Sequence, residues 1–424
     1  MSSKKINDCF QHDKDRLTHF EAIEILKTNL PPTGTNETID LHDAARRVLA
    51  KTISAPRPIP AHRNAAVDGY AYQDEDYDPT TPTQLQVTAR IKAGDPLIDQ
   101  MPKGQAARIF TGSVMPTPLT SVAMQEDVKL ETKANDSVWV TLPQGLKPKA
   151  NCRAAGEDMQ QGATLVEAGT RLTPQHVAAL ASAGIKNLSV TKKLNVACLS
   201  TGNELIKDEK DFTLGKVFDS NGPMLKILAR QTNCTVTDLG IVPDESEVIQ
   251  STVMKAAQTH DVIITSAGAS KGEEDHMVTS LNKLGTQHMW QLAIKPGRPM
   301  SFGQIENCLF IGLPGNPVAA FICFLLYASP MLRRLSGEAW PEPPRYRVPA
   351  NFSIANKKPN RREFLRGKLM AKDQTTWVDK YPKDGSGLIH SLTASDCLIE
   401  LDENLTKIDH GTLVNILPFS YWGL

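Results

Sequence analysis

The apolar positions along the chain change their spacing several times, and each change predicts a different kind of element. Thr18 and Glu21 stand at capping-box spacing, and Leu17, Phe20, Ile23 and Leu26 then recur at helical intervals, so a helix is predicted there. A second short helix is expected over residues 42–50. Pro56, Pro58 and Pro60 then impose an extended hinge, because each proline restricts the residue before it. From about residue 71 to 142 the pattern turns strand-like. Residues 84–91 alternate, 138–142 are β-rich, and turns recur at Gly94-Asp95-Pro96 and Met115-Pro116, which predicts a small β-rich insertion. Thr173-Pro174 places a cap ahead of a proline at the first helical position, with Gly184 as the stop. The simplest topology has the chain leave one domain near residue 56 and return near 150.

From Leu194 onward strands and helices alternate. Strand runs fall at 194–199, 235–242 and 261–266, with helices at 221–230, 244–257 and about 275–284. That alternation predicts a parallel sheet with helices on both faces, which binds ligands beyond the carboxyl ends of its strands. The longest uncharged apolar stretch, 318–332, is too short to span a bilayer and reads as a buried helix. Beyond Pro341, short runs at 364–369, 397–401 and 413–417 predict a small closed or sandwich β domain.

Composition narrows the classes. A chain of 424 residues at roughly 150 per domain implies about two to four domains. Its 40% hydrophobic and 22% charged content excludes a disordered tail protein and a disulfide-stapled miniprotein. Lys plus Arg equal Asp plus Glu at 47 each, so the basic excess of a nucleic-acid binder is missing. The seven cysteines form no CxxC pair and are expected to be small buried hydrophobes in a reducing compartment. The polar start has no apolar signal core, so a soluble cytoplasmic protein with no membrane partner is expected. Ten histidines without HxH or HExxH spacing argue against a histidine-built zinc site, and no Ser-His-Asp or Cys-His pairing is legible.

Three turns in the α/β segment suit an anion. The loop from Ala267 to Gly272, containing Gly268 and Ser270, joins a strand to a helix and offers backbone N–H groups; the plain alternative is an ordinary βα turn. Lys295 and Arg298 flank Pro296-Gly297, an ammonium and a planar fork within one turn; alone, a solvated basic turn explains them as well. Gly312-Leu313-Pro314-Gly315-Asn316-Pro317 opens the long apolar helix, whose N-terminus adds partial positive charge. Acidic residues also stand at turns: Asp68, Asp158, Glu204, Asp244 and Asp275. Asp244 and Glu247 are at capping-box spacing, so a cap explains Asp244 equally well. Carboxylates beside an anion site make sense with Mg²⁺ between them.

Several strings occur in one order: Val67-Asp68-Gly69-Tyr70-Ala71, Phe110-Thr111-Gly112, Gly156-Glu157-Asp158, Ser200-Thr201-Gly202-Asn203-Glu204-Leu205 and Asp219-Ser220-Asn221-Gly222. Lys295-Pro296-Gly297-Arg298-Pro299 and Gly312 through Pro317 follow them. Over essentially its whole length the chain resembles the MoeA family of molybdopterin molybdenumtransferases, which includes the gephyrin E domain among its relatives. The resemblance implies an elongated homodimer of four-domain subunits. These are a discontinuous linking domain (1–55 and 150–192), a β-rich insertion (56–149), a MogA-like doubly wound α/β domain (193–338) and a C-terminal β domain (339–424). It implies a cleft between the α/β and C-terminal domains of one subunit and the β-rich domain of the other. The implied reaction inserts molybdate into adenylylated molybdopterin and releases AMP, with Mg²⁺ required. A MogA-type adenylyltransferase is the implied partner.

The same resemblance distributes roles. Ser270, Lys295, Arg298, Arg366 and Ser386 match positions for molybdate or a nearby phosphate, and Asp219 and Asn221 match contacts to the pterin. Glu204, Asp244 and Asp275 match the Mg²⁺ carboxylates. Asp68 and Thr111 would reach in from the opposite subunit, and Asp158 falls with the catalytic set. Gly268, Gly297, Pro314 and Pro317 would shape the turns that bring backbone to the ligand. The chain departs from the family at Ala267 and Ala269, where Gly and Val are usual, and at Val67, Lys271 and Gln291. Ala267 bears on close backbone approach, because alanine does not readily take φ > 0. Other readings of the same fold are a binding scaffold, a diverged paralogue, molybdopterin adenylylation itself, and use of tungstate.

Overall fold

A computed structural model describes residues 14, 16–32, 34–96, 98, 100–266, 276–372 and 374–424. The first helix, His19–Asn29, is closed by the expected capping box: Glu21 N–H donates to the Thr18 hydroxyl at 3.3 Å, and Thr18 N–H to the Glu21 carboxylate at 2.9 Å. The helix expected over 42–50 is reduced to a single 3₁₀ turn, Leu41–Asp43. There the chain is needed for tertiary pairing. Arg46 takes a φ of 66°, and Arg46 and Leu49 donate their N–H groups to Leu172 and Thr170 at 2.8 and 2.9 Å. Strand Asn36–Asp40 pairs antiparallel with Asn187–Thr191, and Ile53–Ser54 pairs with Thr164–Val166. The helix Pro174–Ser182 lies between the two returning strands and is stopped by Gly184 at φ +79°.

The chain between Ser54 and Thr164 forms a six-stranded sheet. Its spatial order is Ser121–Met124, Gly69–Tyr72, Gln105–Ile109, Thr83–Ile91, Val138–Leu142 and Lys129–Thr132. Only glycine fits at 69, since a Cβ there would overlap the Ala123 carbonyl on the neighbouring strand.

The α/β sheet runs Cys234–Val242, Leu194–Thr201, Val262–Thr265, Cys308–Gly312, Pro299–Ile305, Thr286–Gln291. The first four strands are parallel, as the alternation predicted. The last two are antiparallel additions. Pro299–Ile305 and Cys308–Gly312 are joined by Glu306-Asn307 alone, too short for a crossover helix, so a hairpin is the only geometry available. Helices Asn221–Arg230 and Pro317–Leu335 share one apolar cluster with Trp290, Phe302 and Ile311, while Ser246–Ala257 and His276–Leu284 share another with Ile263 and Phe310. Pro317–Leu335 is long and apolar enough to cross a membrane, but 89% of it is buried inside the protein, which makes it a core helix. Cys198, Cys234, Cys308, Cys323 and Cys397 are buried, and burial pushes the first three thiols and Cys397 up to about 12. Cys9 lies outside the described residues.

The C-terminal sheet runs Ile294–Lys295, Arg362–Lys372, Cys397–Leu401, Leu413–Pro418, Tyr346–Pro349, with Thr375–Lys380 also on Arg362–Lys372. Its first strand therefore comes from the α/β segment. Arg362 fixes the junction: its guanidinium reaches Glu400 at 2.8 Å, Asp402 at 3.1 Å and Glu403 at 2.7 Å, and it lies 4.5 Å over the Phe20 ring. Glu400 has no exposed side-chain surface, so Arg362→Met strands a buried carboxylate with Arg345 as its remaining partner. The expected loss is about 3 kcal/mol, read as a lowered thermal midpoint.

His19 gives a second test. Its Nδ1 is 2.9 Å from the Tyr327 hydroxyl, and burial, aided by Arg362 and Arg345, pushes its pKa down to about 3. An unfolded histidine titrates near 6.5, so the unfolded chain takes up a proton that the folded one refuses. Stability should therefore fall as pH drops from about 6.5 toward about 3. His19→Phe should lose less of its thermal midpoint than the wild type between about pH 7 and about pH 5.

Candidate functional site

The parallel strands end on one edge, and the loops leaving them build a cleft of about 710 Å³. Thr201, Glu204 and Ser266 come from strand ends, Lys295 to Gly297 from the crossing turn, and Pro314 to Asn316 from the start of the long helix. The C-terminal domain closes the other side with Arg366 and with Asp384 to Ser386.

Arg366 is the most informative group. It is 4% exposed, yet no carboxylate lies within ion-pair range among the described residues. Its Nε donates to the Ser391 hydroxyl at 3.0 Å and its Nη2 to the Lys383 and Gly385 carbonyls at 3.1 and 3.3 Å. Burial lowers its pKa and Asp384 only partly opposes this; the group stays charged, since arginine does not lose its proton in proteins. A buried charge held only by neutral oxygens at the wall of a cleft is an anion site in waiting.

Lys295 stands 3.7 Å from Asp384 and 3.8 Å from Glu363, beyond hydrogen-bond length, and is partly exposed. Its turn is pressed onto the long helix. Gly297 has φ +97°, a Cβ there would overlap Cys323 Sγ, and that thiol donates to the Gly297 carbonyl at 3.6 Å. Pro317 opens the helix behind Asn316, and Val318 N–H donates to the Ser386 carbonyl at 3.0 Å, which fastens the C-terminal loop over the helix end.

Asp219 accepts from the Ser200 hydroxyl at 2.8 Å and from Gly222 N–H at 2.9 Å. Asn221 donates through Nδ2 to the Gly315 carbonyl at 2.7 Å, whereas its buried Oδ1 has no partner among the described residues. Glu204 is exposed, with its carboxylate lying over Gly202. The helix after Val242 begins at Ser246 with Glu245 in the cap position, so the capping role considered for Asp244 is not taken up. Instead Asp244 N–H points to Asn203 Oδ1 at 3.4 Å, which sets Asp244 beside the Asn203-Glu204 turn. Neither the Glu204 nor the Asp244 carboxylate accepts a hydrogen bond from a described residue.

The remaining candidates lie elsewhere. Asp68 Oδ1 accepts from Thr111 N–H at 2.8 Å and from its hydroxyl at 2.7 Å, and these bonds hold the carboxyl below its usual range. The pair sits in the β-rich unit and does not line this chain's own cleft. Asp158 is exposed at the hinge, its N–H donating to the Ile59 carbonyl at 3.0 Å. Arg298 lines a separate pocket. Gly268, Ser270 and Asp275, with Ala267 and Lys271, fall outside the described residues. Among the described residues no group of three His, Cys, Asp or Glu side chains is placed to hold a metal. Ser266, Leu365 and Asp384 line the cleft without having been singled out; the Gly385 and Gly387 flanks of Ser386 were the one available signal for Asp384.

An α/β domain with a cleft at its carboxyl edge, closed by a C-terminal β domain and attached to a discontinuous N-terminal region, defines the class. Three family models match in the corresponding order: the MoeA N-terminal region (domains I and II) over residues 17–184, a probable molybdopterin binding domain over 197–334, and the MoeA C-terminal region (domain IV) over 348–419. The molybdopterin molybdenumtransferase of Haemophilus influenzae is 34% identical over 407 residues, 96% of this chain and 99% of that protein. That of a Nostoc species is 34% identical over 72% of this chain and 70% of its own length. The molybdopterin biosynthesis MoeA protein of Pyrococcus horikoshii OT3 superimposes with a TM-score of 0.79 at 28% identity, covering 95% of this chain and all of the other. The chain belongs to the MoeA family, transferases of molybdenum cofactor biosynthesis.

Thr111→Val should remove the hydroxyl bond while keeping the backbone one, so the Asp68 pKa should rise part of the way toward its ordinary value. A carboxyl-carbon NMR titration reads this directly, and an unmoved titration would show that the hydroxyl contributes nothing.

Proposed function

We propose that this protein inserts molybdate into adenylylated molybdopterin and releases AMP, in a Mg²⁺-dependent reaction carried out by a cytoplasmic homodimer. The observation that carries the reading is Arg366, a buried guanidinium without a carboxylate partner at the wall of the cleft. Molybdate is a tetrahedral dianion, and Arg366, Lys295 and Ser386 offer it charge-assisted and hydroxyl donors from one side. The Lys383 and Gly385 carbonyls fix the plane of the guanidinium, so the donors are in place before the anion arrives.

The pterin would lie toward the strand ends. The free Asn221 Oδ1 is an acceptor for a pterin N–H, and Asp219, held by Ser200 and Gly222, is a second. Glu204 and Asp244 fit Mg²⁺, which takes one or two carboxylates and completes its shell with waters and phosphate oxygens. Bound there it would neutralise the phosphoanhydride whose cleavage releases AMP. Asp275 is proposed as a further carboxylate, and Gly268 and Ser270 as part of the phosphate turn. Asp68, Thr111 and Asp158 do not line the cleft of their own chain, which supports their being supplied to the neighbouring subunit's cleft. The four-domain division and a supply of substrate by an adenylylating enzyme belong to the same reading. A pure scaffold has no use for a buried unpaired cation; tungstate, a dianion of the same shape, would be accepted by the same donors.

Single-turnover reaction with adenylylated molybdopterin, Mg²⁺ and molybdate, following AMP and metal-bound pterin together, tests the proposal. Both products should appear only with molybdate present. Lys295→Ala, Arg366→Ala and Asp275→Asn should each abolish product with an unchanged circular dichroism spectrum, and Glu204→Gln should raise the Mg²⁺ requirement. Normal turnover in Lys295→Ala and Arg366→Ala would sink the reading.

A further inference from the structure

The β-rich unit carries a row of aromatic rings and guanidinium groups beside the Asp68–Thr111 pair. Arg108 lies 5.1 Å over the Tyr70 ring and 4.6 Å over the Phe110 ring, and Arg90 lies 5.2 Å over Phe110. Arg108 donates to the Gly69 carbonyl at 3.1 Å and to the side-chain carbonyl of Gln125. Arg90 is exposed and makes no hydrogen bond or ion pair with a described residue. Asp68 is close enough to feel this charge: its carboxyl is lowered first by the Thr111 bonds and more weakly by Arg108, although the two side chains are not within ion-pair range.

A one-residue irregularity in the sheet sets up the row. Strands Thr83–Ile91 and Gln105–Ile109 pair in parallel, and their register slips between Val87 and Ala89, so that Arg90 stands beside Arg108. Unbroken pairing would put Ala89 in that place. On the other side of Gln105–Ile109, Tyr70 is the register partner of Arg108, so Tyr70, Arg108 and Arg90 lie in line across three strands. Pairing of Thr83–Ile91 with Val138–Leu142 ends at Val87, which leaves the outer flank of Arg90 open. Two like charges side by side cost stability, and here aromatic faces, not carboxylates, offset that cost.

The cleft lacks what this row has. No aromatic side chain is among the described residues that line it, yet the adenylylated substrate carries a purine, which is held by stacking on a planar group. We propose that Arg90, Arg108 and Phe110 form a stacking platform for that purine, carried to the neighbouring subunit's cleft together with Asp68 and Thr111. The contacts alternate ring and guanidinium, from Tyr70 through Arg108 and Phe110 to Arg90, and they end on an exposed guanidinium. The next planar group to join such a row is another π-system, and a purine is one. Recognition of a purine follows from the row itself; that the purine belongs to the pterin substrate rests on the insertion reading above.

The test is equilibrium binding of AMP and of ribose 5-phosphate, which has the same phosphate and no base, to the full chain without molybdate or pterin. AMP should bind the wild type about tenfold more tightly than ribose 5-phosphate. Arg90→Gln, a change at an exposed side chain, should remove most of that difference and leave ribose 5-phosphate binding unchanged. Arg90→Lys, which keeps the charge and loses the plane, should behave like Arg90→Gln, and Phe110→Leu should weaken AMP in the same direction. AMP bound no more tightly than ribose 5-phosphate, or equally by the wild type and Arg90→Gln, would overturn the platform. Arg90→Lys matching the wild type would also overturn it, since charge alone would then account for the affinity. A base-dependent affinity that Arg90→Gln abolishes upholds the platform even where the turnover assay yields no product. An unaltered AMP affinity beside normal turnover removes the platform and leaves the insertion reading standing.

Discussion

The parallel pairing of Ile294–Lys295 with Arg362 and Glu363 is two residues long, and the site depends on it. It makes a piece of the α/β segment the edge strand of the C-terminal sheet. Lys295 and Arg366 therefore stand on neighbouring strands of one sheet, although 70 positions of sequence separate them. So short a ladder contributes little by itself. It persists because Arg362 is tied to Glu400, Asp402 and Glu403, and because Gly297 packs on Cys323 of the long helix just beyond it.

This arrangement explains why the cleft has an uncompensated cation. Acidic residues are plentiful around the junction, but they are engaged: Glu400, Asp402 and Glu403 by Arg362, and Glu363 by Arg361. Arg366, four residues along the same strand from Arg362, meets only carbonyls and a hydroxyl. Two arginines on one strand thus serve different ends. One neutralises a cluster of carboxylates that includes the buried Glu400, and the other stands at the wall of the cleft without a carboxylate partner among the described residues.

Local signals in the sequence were legible where local forces decide the outcome. The capping box at Thr18 and Glu21, the helix Asn221–Arg230 and the strand Cys397–Leu401 came out with the bounds that periodicity and capping dictate. Residues 42–50 carry a helical pattern but satisfy their backbone against residues 170–172, and nothing in a periodicity announces such a partner. The antiparallel edge of the α/β sheet escaped for a related reason. Its strands, Thr286–Gln291 and Pro299–Ile305, mix polar and apolar residues without a clear pattern, and the direction of the second is set by the connection Glu306-Asn307. Asp244 shows the limit of a motif: the spacing of a capping box was present, and the helix began two residues later.

The site was legible as a set of turns and not as an arrangement. Lys295 and Arg298 read alike in sequence, yet Lys295 borders both the cleft and the pocket beside it, whereas Arg298 borders that pocket and not the cleft. Three residues is the distance at which a tight turn reverses direction, so their separation in sequence guaranteed nothing about a common target. The burial of Arg366 and the free Oδ1 of Asn221 were equally invisible, because both are properties of what packs around a residue. Charge near an anion site is thus sorted by geometry: the cation that binds most tightly should be the one that burial has deprived of water and the fold has denied a carboxylate, and by that measure Arg366 outranks the more conspicuous pair at 295 and 298.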